Sequence, residues 1–149
     1  MVLMNWRYPN PYIHAICVSS EHIDGLGHSN NTQYIQWCEE AAWAHSAALG
    51  MSLEMYQTLG RAMAVVRSEF DYLKATYEGD ELLVGTWLTD ISKRLTMERR
   101  FEVRKQFDGT LVCQGVWQFV CIRLDTGAPA RMPPEFEAVY APAVVGVPS

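Results

Sequence analysis

The string Asp24-x-x-Gly27-His28-x-Asn30-Asn31-x-x-Tyr34 holds the densest group of chemically useful side chains in this chain of 149 residues. It sets a carboxylate on a glycine-rich turn just ahead of an expected helix start. The first amides of a helix have no intrahelical partner and carry a partial positive charge. Such an end can hold a carbonyl oxygen as negative charge builds on it. A carboxylate beside it can attack the carbonyl carbon or take a proton from water. Gly25 and Gly27 let backbone come close to a ligand. The same residue types also tighten ordinary loops and cap helices through local hydrogen bonds. Spacing alone therefore leaves a catalytic and a purely structural reading open.

The elements that would position this string can be read around it. Tyr12 to Ile23 reads as a strand, with β-branched and apolar residues frequent. A helix is expected over Thr32 to Leu49, where Tyr34, Trp37, Cys38, Ala41, His45, Ala48 and Leu49 recur at three and four. Asn30 or Asn31 suits its N-cap and Gly50 its stop. Its alanines would let it sit close to a sheet, while Glu39 and Glu40 need water or partners. Four strands should follow: Ala62 to Ala75, Glu81 to Ser92, Leu95 to Phe107 and Thr110 to Leu124. Asp108-Gly109 between the last two is a strong hairpin signal. In the strand from Leu95, the residues Leu95, Met97, Phe101 and Val103 share one face. Thr96, Glu98, Arg100, Glu102 and Arg104 share the other, which is expected to be wet. The strand from Thr110 is apolar on both faces, as a central strand or a sheet backed by another subunit would be. The tail from Ala128 holds five of the seven prolines and is expected to lie over the surface. The fold class is α+β: one long helix on a curved antiparallel sheet.

Composition narrows the functional classes. The length suits one domain, and 49% apolar residues can build a core. A net charge of −5 argues against a basic nucleic-acid binder. No apolar run reaches the ~18 residues of a membrane span. The start shows no signal-peptide pattern, so a cytoplasmic protein is expected. The four cysteines form no CxxC pair and are read as reduced thiols. No metal-ligand spacing joins His14, His22 or His45, and neither a metal nor a cofactor is expected. Six of the twelve basic residues fall between Lys93 and Lys105. They could meet an anion, or alternate with Glu98 and Glu102 on a solvated face.

The stretch from Asp24 to Glu39 resembles the signature of hotdog-fold thioesterases of the 4-hydroxybenzoyl-CoA thioesterase type. The likeness in element order runs over roughly residues 12 to 132. It implies a hotdog fold of about five strands forming a homodimer or homotetramer, and hydrolysis of an acyl-CoA thioester. By position in the motif, Asp24 matches the catalytic carboxylate, acting as nucleophile or as general base. Asn31 matches the residue whose backbone N–H polarises the thioester carbonyl. Gly27, His28, Asn30 and Tyr34 match substrate-side positions. Arg99 and Arg100 are the candidates for coenzyme A phosphates, since guanidinium groups suit phosphate by charge and fork geometry. One departure stands out. Many relatives show Glu-x-x-Arg on the helix, whereas here Glu39 is followed at that spacing by Ala42. Another hotdog branch uses a helix glutamate, which keeps Glu39 as a candidate second carboxylate. A carrier-protein thioesterase and a non-catalytic acyl-CoA-binding protein are the alternative functions.

Overall fold

In the computed structural model, which describes residues 4–146, Asn30 and Gly50 bracket the principal helix α1 (Asn31–Leu49). Asn30 Oδ1 accepts from the Thr32 amide at 3.2 Å. Gly50 closes the helix at φ 102°, a left-handed turn that a Cβ would strain. Tyr34, Trp37, Cys38 and Ala41 form its buried stripe. Small Ala41 lets the helix backbone approach the sheet. Met1–Leu3 and Val147–Ser149, the latter the end of the expected proline-rich tail, lie outside the described residues.

Beneath α1 runs one antiparallel sheet. Its strands are β1 (Tyr12–Cys17), β2 (Arg61–Tyr72), β3 (Glu81–Ser92), β4 (Thr96–Lys105) and β5 (Leu111–Arg123), in spatial order β1-β3-β4-β5-β2. Inward-facing Leu82, Val84, Leu88, Phe101, Val103, Cys113 and Trp117 make the core with the helix stripe. Cys38, Cys113 and Cys121 are buried and Cys17 is exposed, all as free thiols.

The expected strand from Tyr12 ends early, at Cys17. A 3₁₀ turn over Ser20–His22 replaces its second half, with His22 Nδ1 accepting from the Ser19 amide at 3.0 Å. That turn drops the chain toward the head of α1. A short helix α2 (Leu53–Leu59), with Ser52 as its cap, follows α1 without having been expected.

The tail expectation is corrected. Pro134–Tyr140 forms a helix, α3, and its Phe136 and Tyr140 are fully buried. Proline at a first helical turn costs nothing, because no intrahelical partner awaits its missing N–H. Phe136 and Tyr140, four residues apart, then share one inward face. Phe136 stacks on Tyr56 at 4.9 Å between ring centroids.

The expected wet face of β4 is also corrected. The N-terminal segment lies across it, with the Trp6 and Tyr8 rings 5.9 and 5.4 Å from Trp87. A Cβ on Gly85 would come within 2.7 Å of the Trp6 ring, so only glycine fits beneath it. Glu102 is consequently buried and accepts from the Arg7 amide and from Arg104.

Strand β2 forms an edge of the sheet and carries a bulge at Val66, where pairing with β5 jumps from Val65 to Arg67. The extra residue reverses parity. Met63 and Val65 therefore share the inner side with Ser68, Phe70 and Tyr72. Val66 is 62% exposed on this long, unpaired edge.

Candidate active site

The loop from Asp24 to Ser29 is closed by its own backbone. The Asp24 amide donates to His28 O at 2.9 Å, and the Gly27 amide to Asp24 O at 3.2 Å. Gly27 takes φ 87°, which the tight reversal requires. The Asn30 amide donates to His22 O at 3.0 Å. These bonds hold the half-buried Asp24 beside the residues that start α1. Asp24 Oδ1 accepts from the Leu26 amide at 2.8 Å. Among the described residues, no hydrogen bond engages Oδ2.

At the helix head, Asn30 serves two amides. Its side chain takes Thr32 and its carbonyl takes Gln33. The Asn31 amide stands at the first helical position, where no intrahelical acceptor exists, and Asn31 is exposed. The loop that carries the Asp24 carboxylate is thus bonded to the residues that lead into α1, whose Asn31 amide has no hydrogen-bond acceptor among the described residues. His28 lies edge-on to Tyr77 at 5.9 Å.

Tyr34 lies beneath this loop, not within a pocket. It is 2% exposed, and its hydroxyl meets Thr76 Oγ1 at 2.8 Å. Thr76 Oγ1 in turn donates to Ser29 Oγ at 2.7 Å. With its ring buried against Trp37 and Tyr72, Tyr34 has no face for substrate in a single chain.

A second feature lies farther along α1. A cavity of about 470 Å³ opens between the helix and the inner face of β2, β4 and β5. Ala42 and Trp43 wall it from above, and Met63, Val65, Met97, Trp117 and Phe119 from below. Glu39 and Ser68 also line it, and Ser68 Oγ accepts from the Trp117 indole at 3.0 Å. None of Asp24, Gly27, His28, Asn30, Asn31 and Tyr34 is among its lining residues.

The sheet sends Arg99 and Arg100, the two candidates for coenzyme A phosphates, to opposite faces. Adjacent strand residues point to opposite faces. Arg100 is half-buried on the outer face, where its Nε donates to Glu98. Arg99 is 1% exposed and lines the inner cavity. Its parity matches Met97, Phe101 and Val103, a signal that was present in the sequence. Tyr56, Ser46 and Tyr140, which join Arg99 at the cavity, carried no local pattern that could have marked them.

An antiparallel five-stranded sheet holding one principal helix, with an acid-bearing turn at the helix head, is the hotdog architecture. The family model described as the thioesterase-like superfamily matches residues 18–139. The chain therefore belongs to that superfamily and is a protein of the thioesterase class. Solved structures share the fold. A 1,4-dihydroxy-2-naphthoyl-CoA thioesterase from Synechocystis is 23% identical, with a TM-score of 0.78 over 87% of this chain and 96% of its own. A DHNA-CoA thioesterase from Staphylococcus aureus is 23% identical, with a TM-score of 0.81 over 93% of this chain and 99% of its own. A further Staphylococcus aureus protein, solved in complex with CoA, is 20% identical with a TM-score of 0.83, over 93% of this chain and 87% of its own. Comparison with curated proteins returns no match. No helix of the described residues is long and apolar enough to cross a membrane.

Proposed function

We propose that the chain hydrolyses an acyl-CoA thioester to a free carboxylic acid and coenzyme A. The Asn31 amide and the head of α1 polarise the thioester carbonyl. Asp24 attacks the carbonyl carbon to give an acyl-Asp24 anhydride, which a water then hydrolyses to the free acid and the restored carboxylate, or it removes a proton from a water that attacks the carbonyl directly. In either course the C–S bond breaks, and the thiolate takes up a proton. Oxygen bears more charge in the tetrahedral species than in the thioester, so a fixed amide there favours the transition state over the ground state. The observation that carries this reading is the closure of the Asp24 loop onto the helix head, through His22 O with the Asn30 amide and His28 O with the Asp24 amide. Membership of the thioesterase-like superfamily and a CoA complex in a protein of the same fold support coenzyme A as the carrier.

The reading includes a second copy of the chain. The acid loop and the apolar cavity do not meet within one subunit, and the cavity opens beside the exposed β2 edge. Unpaired strand edges with apolar side chains favour pairing with another strand. Two copies joined across β2 would run their helices antiparallel, bringing one subunit's acid loop toward the other's cavity.

One observation favours a second assignment within the same activity. Glu39 lines the cavity, whereas Asp24 does not, which makes Glu39 the alternative general base. A hydrolysis screen across aromatic, short, medium and long acyl-CoAs, read by released thiol, tests the activity itself. Turnover of at least one class is expected. Tight acyl-CoA binding with no thiol release would make the chain a binding protein instead.

A further inference from the structure

Arg99 brings a positive charge into the interior with no anion to meet it. Its Nη1 donates to Nδ1 of His45 at 2.9 Å and to Oγ1 of Thr86 at 3.1 Å. Its Nε has no partner among the described residues, and no ion pair among them involves it. Burial lowers its pKa to about 10, which leaves it charged at neutral pH. A buried unpaired ion is among the most costly arrangements a fold can hold.

The neighbouring hydroxyls keep one donor free. Tyr56 and Tyr140 hydroxyls lie 2.6 Å apart, and Ser46 Oγ lies 3.2 Å from Tyr140. Three hydroxyl protons serve these two bonds, so one proton remains to donate. All four side chains line the same cavity. Apart from Glu39 and Ser68, the rest of its walls are apolar. Along α1, Glu39 and Ser46 stand roughly 10 Å apart at 1.5 Å per residue, so the donor-rich end is separated from the Glu39 end by the length of an extended acyl chain.

We propose that the cavity takes acyl groups whose far end carries a carboxylate, that is, monothioesters of dicarboxylic acids. Arg99 and the spare hydroxyl proton of the Ser46–Tyr140–Tyr56 chain receive that carboxylate, while the apolar walls hold the methylenes. The inference rests on the thioesterase reading for its substrate but not for its binding site.

The test compares kcat/KM for adipoyl-CoA and suberoyl-CoA with that for hexanoyl-CoA and octanoyl-CoA, in the wild-type protein, Arg99→Met and Tyr56→Phe. A charge-assisted contact to the buried Arg99 guanidinium should favour the dicarboxylic substrates by about ten-fold or more. Arg99→Met should abolish that preference, and Tyr56→Phe should reduce it. Methionine fills a similar volume without a buried charge, so melting of Arg99→Met should be unchanged or raised. Should Arg99→Met fail to fold, Tyr56→Phe carries the comparison. Equal or greater efficiency toward the unsubstituted acyl chains, or a ratio unmoved by both variants, would overturn the proposal. Calorimetry with free adipate and suberate separates the two claims. Binding to the wild type and not to Arg99→Met would sustain the carboxylate site even if no thioester were hydrolysed. Binding no stronger than to Arg99→Met would overturn the site even in an active thioesterase.

Discussion

The hydroxyl of Tyr34 meets Thr76 Oγ1 at 2.8 Å. Through Thr76 and its 2.7 Å bond to Ser29 Oγ, a buried helix side chain is tied to the end of the acid-bearing loop. A second bond, from the Ser29 amide to Thr76 O at 2.8 Å, locks the same junction. Tyr34 therefore acts on the proposed site by positioning it. Tyr34→Phe should cost about 1 kcal/mol, which lowers Tm by about 2–4 °C in a domain of this size. The loosened loop should reduce kcat more than it raises KM. Calorimetry and steady-state kinetics check this, and unchanged Tm with unchanged kcat would show that the chain of hydroxyls does not hold the loop.

The proposed pairing of two copies places their seam at the β2 edge. Val66, exposed at the bulge, lies where a partner strand would pair. A lysine on an edge strand resists pairing, because its charge would have to leave water. Val66→Lys should shift sedimentation from dimer toward monomer and remove most hydrolysis with it. A wild-type monomer with full activity, or a Val66→Lys dimer indistinguishable from wild type, would contradict a site shared between subunits.

His45 gives the fold a pH dependence. Burial, and secondarily the Arg99 charge, lower its pKa from 6.5 to about 4. Between those values the unfolded chain binds a proton at this residue that the folded chain refuses. The His45 contribution is therefore present above pH 6.5 and is lost as pH falls toward 4. Chemical denaturation across this window should show stability falling with acidification. His45→Gln, which keeps an acceptor for Arg99, should flatten that slope. An identical slope in the variant would place the acid sensitivity elsewhere.

Much of this architecture was legible in the sequence, and the exceptions have physical causes. Helix α1 was bracketed by Asn30 and Gly50 because caps are local chemistry, decided by the residues themselves. Strand β3 was readable from Glu81 to Ser92 because turns punctuate both of its ends. Helix α3 was hidden because proline argues against strands without arguing against a helix start, and because the burial of Phe136 depends on Tyr56, far away in sequence. The covered face of β4 was hidden for a similar reason: nothing within β4 announces that Trp6 and Tyr8 will lie over it. Arg99 illustrates the opposite case. Its charge argues for solvent, although strand parity sets it with Met97 and Phe101. The candidate site was legible where it is a contiguous motif, from Asp24 to Asn31. The cavity was not, because the Val66 bulge brings Met63 and Ser68 to one side only after a residue is skipped.

Two carboxylates compete for the chemical step, and one comparison of variants decides between them. Hydrolysis of the best acyl-CoA should be measured for Asp24→Asn and Glu39→Gln under saturating substrate, with circular dichroism to verify folding. With Asp24 as nucleophile or base, Asp24→Asn should lower kcat by roughly 10²–10⁴-fold with the fold intact, while Glu39→Gln stays far closer to wild type. Near-normal hydrolysis by Asp24→Asn would contradict the account, and a collapse confined to Glu39→Gln would move the chemistry to the cavity wall.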